Sequence, residues 1–236
     1  AMATLNLFFS ANDLDRWRHR RGLIGRLRQR LGRPARLSGQ SRVFVNLTAG
    51  LEALGVPFRV NDTDYARRHP DTLCCLIGRR RLMADWALTN PLLIGPCVYD
   101  HPLDEPRLLN RWPVRRLLVP GEWMRRMCAP AWGDQVHAWP VGIDTAYWMP
   151  RGADTARDID VLVYDKILWD RPEKVPAVLA PVTAALSQRG LRHVVLRYGR
   201  YVPEEFRDLL ARSRSMVFLC EHETQGLAYQ EALASG

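Results

Sequence analysis

Short apolar segments alternate with segments of helical composition along most of this 236-residue chain, and this alternation restricts the fold more than any other feature. Each apolar segment is short enough for a buried strand and is followed by Gly, Pro or polar residues. Strands that alternate with helices favour parallel sheets with helices on both faces. The sequence therefore predicts an α/β fold.

The predicted elements are spread along the chain, and a basic segment near its start forms an insertion after the first strand. The predicted strands cover residues 4–9, 58–60, 72–77, 92–98, 117–119, 159–164, 193–198 and 216–220. The predicted helices cover residues 41–54, 122–127, 172–186 and 204–211. Ligands of parallel sheets bind at the carboxyl ends of the strands, so the loops at residues 10–40, 99–105 and 120–123 are candidate contact segments.

The last predicted strand leads into a loop and then a helix that carry two carboxylates. Glu223 and Glu231 lie eight positions apart, with Gly226 between them, which puts one in the loop and the other about two turns into the helix. The two carboxylates can then face one cleft. The start of the helix has unpaired N–H groups and the positive end of the helix dipole, and both favour binding of an anion above it. A solvated pair of acidic residues near a helix start is the alternative.

This segment resembles the E-x7-E signature of retaining glycosyltransferases with the GT-B fold, family 4 type. The resemblance implies two Rossmann-like domains with parallel sheets, in which Glu223 contacts the transferred sugar and Glu231 holds the ribose of the nucleotide. The family's chain continues beyond this motif, so the second domain is expected to be truncated at its C-terminus.

The resemblance also implies two basic residues that bind the donor diphosphate, the first directly after the first strand of the second domain. Lys166 fits the first position. The spacing selects Arg171 for the second position, whereas Lys174 has the more usual side chain, and both remain open. Cations there would stabilise the charge that develops on the leaving diphosphate. Two surface cations at a helix start are the alternative reading.

Residues of the first half complete the predicted site. The glycine-rich first loop of the family is reduced here to Gly39. Asp100 and His101 lie where family members often place a His that contacts the reacting sugar. Such a His can orient or deprotonate an acceptor hydroxyl, or it can simply bind neighbouring backbone at a strand end.

The domain limits follow from a Pro-x-Gly-x-Asp segment, Pro140 to Asp144, that marks the exit from the first domain in the family. We expect an acceptor-side domain over residues 1–150, a linker over 151–157 and an incomplete donor-nucleotide domain over 158–236. The stretch between the basic loop and Glu223 is shorter than in typical members, by about one strand-helix unit of a few tens of residues.

Composition limits the location and the chemistry of the protein. No apolar run approaches the roughly 20 residues of a membrane span, and the first residues do not have the pattern of a signal peptide. The five cysteines lack Cys-x-x-Cys spacing, which argues against a zinc or disulfide framework and favours a cytoplasmic protein. No cofactor and no metal are expected.

Most of the net charge of +9 comes from nine arginines between Arg16 and Arg36. The only acidic residues close to them in the sequence are Asp13 and Asp15. Apolar residues recur at helical spacing in this segment. A basic amphipathic segment suits an anionic membrane surface, which implies peripheral membrane association. Nucleic acid binding, held to be unlikely, and a plain solvated helix are the alternatives.

Together these features predict a metal-independent enzyme that moves a sugar from a nucleoside-diphosphate sugar to a hydroxyl of a glycan or lipid-linked acceptor, with retention of configuration. Two alternatives remain. One is a GT-B nucleotide-sugar epimerase or phosphorylase. The other is a non-catalytic basic module that binds a membrane or nucleic acid.

Overall fold

The computed structural model describes residues 3–9, 39–78, 80–84, 86–96, 98–152 and 155–236. These residues form two compact units, one that ends at Gly142 and one that begins at Ile143. The arginine-rich segment between Arg16 and Arg36 lies outside the described residues.

The first unit is built on a parallel sheet with the strand order β2-β1-β3-β4-β5-β6. Its strands are β1 Leu5–Phe9, β2 Phe58–Val60, β3 Cys74–Ile77, β4 Leu92–Ile94, β5 Val114–Val119 and β6 Val136–Ala138. Its helices are α1 Gly39–Ala53, α2 Thr63–Arg68, α3 Arg81–Ala84, α4 Leu108–Arg111 and α5 Glu122–Trp132, with 3₁₀ turns at Pro102–Asp104 and Gly133–Gln135.

The core of this unit lies between the sheet and its helices. The central strand β3 is buried along its whole length, as is typical of a parallel strand covered on both faces. Leu76 and Leu92 from the sheet pack in one apolar cluster with Met124 and Trp132 from α5. The apolar runs of the sequence therefore form the centre of the sheet.

The second unit is built on a smaller parallel sheet with the strand order β8-β7-β9. Its strands are β7 Val161–Lys166, β8 His193–Arg197 and β9 Met216–Cys220. Its helices are α6 Arg171–Lys174, α7 Ala180–Gln188, α8 Pro203–Arg212 and α9 Leu227–Ala234, with a π-helical turn at Val175–Leu179. One face of the sheet packs through Tyr164 against Phe206 of α8.

The predicted α/β class is confirmed, because both sheets of the described residues are parallel and alternate with helices. Several boundaries were wrong. The strand predicted at residues 92–98 ends at Ile94: Gly95 still donates to the carbonyl of Leu76 at 2.7 Å, but Pro96 has no N–H to continue the ladder. Lys166, predicted to follow its strand, is the last residue of β7.

Helices differ from the prediction in extent and in number. The helix predicted at residues 172–186 runs from α6 to α7 through the π-helical turn, because Pro176 and Pro181 lack the N–H groups that a regular helix needs. Helix α2 was not predicted, although Asp62 caps it by accepting from the N–H of Tyr65 at 2.9 Å. None of the helices in the described ranges has the length and hydropathy to span a bilayer.

The segment after Gly142, predicted to close the first domain, contributes to the core of the second unit. Trp148 is buried there with its ring 5.7 Å from that of Phe206, and Ile143 and Tyr147 pack against the same cluster. The predicted limits of the functional domains, at residues 150 and 158, stay a prediction.

Candidate functional site

The carboxyl end of the second sheet brings the strongest site candidates together. Strand β7 is central, and the chain moves to β8 on one side and to β9 on the other, so the connections diverge between β7 and β9. Ligands of open parallel sheets bind at such a switch point, outside the carboxyl ends of the strands. Lys166 ends β7 and pairs in register with Cys220, which ends β9.

Lys166 and Glu223 form an ion pair at this point. The ammonium of Lys166 donates to the Oε2 atom of Glu223, and the two side chains are only 18% and 17% exposed. Glu223 also accepts from the N–H of Thr224 at 3.2 Å. The Lys166 ammonium lies 5.1 Å from the centre of the Tyr198 ring. Two residues that the sequence singled out separately therefore meet in one partly buried pair.

The side chain of Arg171 binds the end of β7 and the first residue of the loop that follows it. Its guanidinium donates to both carboxylate oxygens of Asp165, at 3.0 and 2.8 Å, and to the carbonyl of Ile167. Burial alone would raise the pKa of Asp165, which is 2% exposed. The hydrogen bonds from Arg171 and from the N–H of Ile167 outweigh burial, and the pKa of this carboxyl is lowered.

The sequence left open whether Arg171 or Lys174 is the second residue that binds the diphosphate. Of the two, Lys174 has the more accessible charge. Its side chain is 35% exposed, against 24% for Arg171. Its ammonium lies 3.4 Å from an oxygen of Glu221 and 3.9 Å from one of Asp170. These contacts are longer than the bidentate bonds of Arg171, so Lys174 can exchange partners at lower cost.

Glu221 binds the same loop from the end of β9. Its carboxylate accepts from the backbone N–H of Leu168 at 3.1 Å and from that of Trp169 at 3.1 Å. Partial burial opposes ionisation, but these hydrogen bonds and the contact with Lys174 outweigh it, and the pKa of Glu221 is lowered to about 2. Glu221 is therefore ionised across the physiological range.

Gly226 begins α9 in a backbone conformation that favours glycine. Its φ is +74°, and a Cβ atom built there would lie 1.6 Å from the Tyr229 ring. The Tyr229 ring packs in turn on Phe218 of β9, with 4.2 Å between ring centres. Burial raises the pKa of the Tyr229 hydroxyl to about 12. The glycine thus allows the loop from Glu223 to enter α9 over the half-buried ring of Tyr229.

Glu231 does not share the surface position of Glu223. It is fully buried, together with Ala228 and Ser235, because these three positions recur on the inward face of α9. The sequence suggested that both carboxylates face one cleft, whereas only Glu223 has an exposed fraction in the structure. The role of Glu231 in binding a ribose stays a prediction.

An exposed aromatic pair borders these groups. Trp169, in the loop after β7, is 54% exposed and stacks on His222, with ring centres 4.5 Å apart. Along the chain, Trp169 lies two residues before Arg171, the first residue of α6, and His222 lies two residues after Cys220, the last residue of β9. Sequence reasoning did not single out this pair.

The remaining predicted residues belong to the first unit. His101 caps the 3₁₀ turn after it: its Nδ1 atom accepts from the N–H of Leu103 at 3.1 Å. A neutral ring in this position carries its proton on Nε2 and is therefore a hydrogen-bond donor there. Asp100 is exposed, and its N–H donates to Asp104 at 3.2 Å. Gly39 is the first residue of α1. Their functional roles stay predictions.

Lysine usage was a signal that sequence reasoning missed. The chain has 34 basic residues but only two lysines, Lys166 and Lys174, and both contact acidic residues at this end of the second sheet. Lysine offers a compact point charge that can bind phosphate, whereas the nearby Arg171 is held by Asp165. Glu221 carries no comparable sequence signal, because its contacts depend on the pairing of β7 with β9.

Among the described residues, no group of three or more His, Cys, Asp or Glu side chains is arranged to hold a metal ion. Of these residues, Cys74, Cys75, Cys128 and Cys220 are free thiols. The predictions of no metal and no cofactor remain untested.

No protein-family model matches the chain, and no curated protein matches it. A chain of the GtfA/B complex bound to UDP and GlcNAc, known from a crystal structure, is similar, with 11% sequence identity and a TM-score of 0.35. The alignment covers 83% of this chain and 45% of that chain. The present chain thus matches less than half the length of that neighbour.

Proposed function

We propose that the protein is a glycosyltransferase of the GT-B fold, family 4 type, that uses a nucleoside-diphosphate sugar and retains the anomeric configuration. One observation carries this proposal. At the switch point of the second sheet, Lys166 from the central strand meets Glu223 from the loop that leads to Gly226 and α9. This arrangement offers one cation, one carboxylate and a helix start at the place where such sheets bind ligands.

The two lysines suit the diphosphate of the donor. In the transfer, the bond between the anomeric carbon and the diphosphate oxygen breaks, and its electron pair stays on that oxygen. The acceptor oxygen bonds to the same carbon, and its hydroxyl proton passes to the departing diphosphate oxygen. Ammonium groups near the leaving diphosphate stabilise the charge that develops there, which lowers the barrier of the chemical step. Lys166 and Lys174 are the candidates for this role.

Glu223 suits the transferred sugar. In the free protein it is paired with Lys166, so an arriving diphosphate would compete for that lysine and leave the carboxylate to the sugar hydroxyls. We propose Glu231 for the ribose, which requires α9 to expose it. A glycan or lipid-linked hydroxyl, met at the cytoplasmic face of a membrane, is the proposed acceptor.

The test begins with calorimetric titration of a panel of nucleoside diphosphates into the wild type and Lys166→Met. A charge-assisted hydrogen bond is worth roughly 1.5–3 kcal/mol, so the substitution should weaken binding by about tenfold or more. Arg200→Met removes an exposed positive charge from the loop after β8 and should leave the affinity unchanged. Equal affinity of wild type and Lys166→Met would refute the role of this site.

Turnover of the matching nucleotide sugar then separates binding from chemistry. Glu223→Gln should keep most of the nucleotide affinity and lower transfer by about 100-fold, because its contacts belong to the sugar. Proton NMR of the product gives the anomeric configuration. Inversion, or turnover of Glu223→Gln within a factor of two of wild type, contradicts the proposed mechanism.

A further inference from the structure

The loop between β7 and α6 presents several hydrogen-bond donors to one carboxylate. The N–H groups of Leu168 and Trp169 point to Glu221, and Lys174 adds its ammonium from the first turn of the helix. Consecutive backbone N–H groups beside a cation form a typical oxyanion site. In this chain a side chain of the protein itself fills it.

We propose that the N–H groups of Leu168 and Trp169 and the ammonium of Lys174 form a binding site for one phosphate of the donor. Glu221 occupies this site as an intramolecular substitute, and the donor displaces it. This inference rests on the proposed function and adds to it a phosphate site and a carboxylate that competes for it.

The chemistry of the contacts supports a phosphate as the exchanging ligand. A carboxylate and a phosphate both present oxygens in pairs to N–H donors and accept charge-assisted hydrogen bonds. Glu221 accepts from Leu168 through both oxygens and from Trp169 through one, at 3.1 to 3.2 Å. Its side chain is only 13% exposed, so the carboxylate lies within the site rather than in solvent.

The position of the site also fits the donor. The loop directly follows Lys166, so the N–H groups of residues 168 and 169 lie beside the switch point between β7 and β9. Each lysine there contacts a glutamate: Lys166 contacts Glu223, and Lys174 contacts Glu221. A diphosphate has two charged groups, and it would replace both carboxylates at once.

The charge balance explains why Glu221 should weaken donor binding. The two lysines and the two glutamates sum to zero, and Asp170, 73% exposed, adds a well-screened negative charge. A tethered carboxylate also has a high effective concentration at its site, against which a free ligand must compete. Removing the charge of Glu221 while keeping its oxygen acceptor should therefore favour an added anion.

The experiment uses the full chain and inorganic pyrophosphate as the probe, measured by titration calorimetry. Glu221→Gln keeps a carbonyl oxygen for the two N–H groups but loses the charge, and we expect it to bind pyrophosphate about tenfold or more tightly than the wild type. Glu173→Gln removes an exposed carboxylate from the same helical turn and is the matched control, with an expected change below about twofold. Adding Lys174→Met to Glu221→Gln should abolish the gain.

Amide NMR of the unchanged protein gives a second measurement, which does not depend on how a variant folds. Titration with pyrophosphate should shift the amide resonances of Leu168 and Trp169. If pyrophosphate saturates the protein without shifting them, or Glu221→Gln shows no gain over wild type, the inference is overturned. If wild type and Glu221→Gln bind a nucleoside diphosphate equally well, the inference fails and the proposed function stands. If neither protein binds pyrophosphate or any nucleoside diphosphate, the proposed function fails as well.

Discussion

Gly226 and Gly190 have nearly the same backbone conformation but different surroundings. Their φ angles are +74° and +68°, backbone values that L residues with a side chain rarely adopt. A Cβ atom at Gly226 would overlap the Tyr229 ring, whereas nothing lies within 4 Å of a Cβ atom at Gly190. The pair therefore separates the effect of backbone strain from the effect of steric overlap.

We expect Gly190→Ala to lower the free energy of unfolding by about 1–2 kcal/mol, the cost of the left-handed conformation. Gly226→Ala should lower it by roughly a further 1–3 kcal/mol, because the Tyr229 ring must move. Chemical denaturation of both variants measures the difference. Equal losses would mean that the Tyr229 ring moves aside without cost, which contradicts this expectation.

At the scale of elements, the connection from β7 to α6 depends on one partly buried ion pair. Arg171 and Arg212 each form a bidentate pair with an aspartate, Asp165 and Asp158, at similar distances. The Asp165 side chain is 2% exposed and that of Asp158 is 47% exposed. Loss of the cation leaves a buried carboxylate in the first case and a hydrated one in the second.

Arg171→Ala should therefore lower the free energy of unfolding by about 2–4 kcal/mol, and Arg212→Ala by about 1 kcal/mol or less. The pKa of Asp165 is lowered in the folded protein. The contribution of ionised Asp165 to the free energy of unfolding is therefore complete above its ordinary pKa of 3.8, and it declines as the pH falls through the folded pKa. The gap between the variants should thus narrow in acid. Urea titrations at pH 7 and pH 3 measure it, and a gap that is absent at pH 7 contradicts the structural role of Arg171.

Sequence reasoning predicted elements well where strong periodicity and turn residues coincide. The strands at Phe58–Val60 and Met216–Cys220 have their predicted limits. Strand β6 is as short as Phe58–Val60 but was missed, because only Val136 of its three residues is buried, and the four residues of helix α3 are too few to show a helical period.

The candidate site was predictable only in part. Lys166 and Glu223 were found from the family resemblance, and the structure brings them into contact. The contacts of Glu221 and the burial of Glu231 follow from strand register and from the rotation of α9, which local sequence does not determine.

At the scale of the whole molecule, positive charge is distributed very unevenly. The segment from Asp13 to Arg36 carries +7 of the net charge of +9, so the rest of the chain is nearly balanced. In the second unit, arginines such as Arg192 and Arg212 lie within salt-bridge distance of aspartates. Attraction to a polyanionic surface should therefore depend mainly on the arginine-rich segment.

The corresponding prediction concerns binding to anionic vesicles. Replacing Arg16, Arg18, Arg20 and Arg21 by Gln should remove about 4 kcal/mol of attraction at low salt, at about 1 kcal/mol for each residue. Co-sedimentation with anionic and neutral vesicles measures the effect, and binding of the wild type should weaken as salt shortens the screening length to about 8 Å.

The matched control replaces four exposed arginines outside the segment, namely Arg107, Arg115, Arg189 and Arg200. This control has the same net charge and should keep most of the binding, because attraction decays within a screening length and depends on clustered charge. Equal losses in both variants would show that net charge alone governs binding, and displacement by duplex DNA would favour a nucleic-acid partner over a membrane.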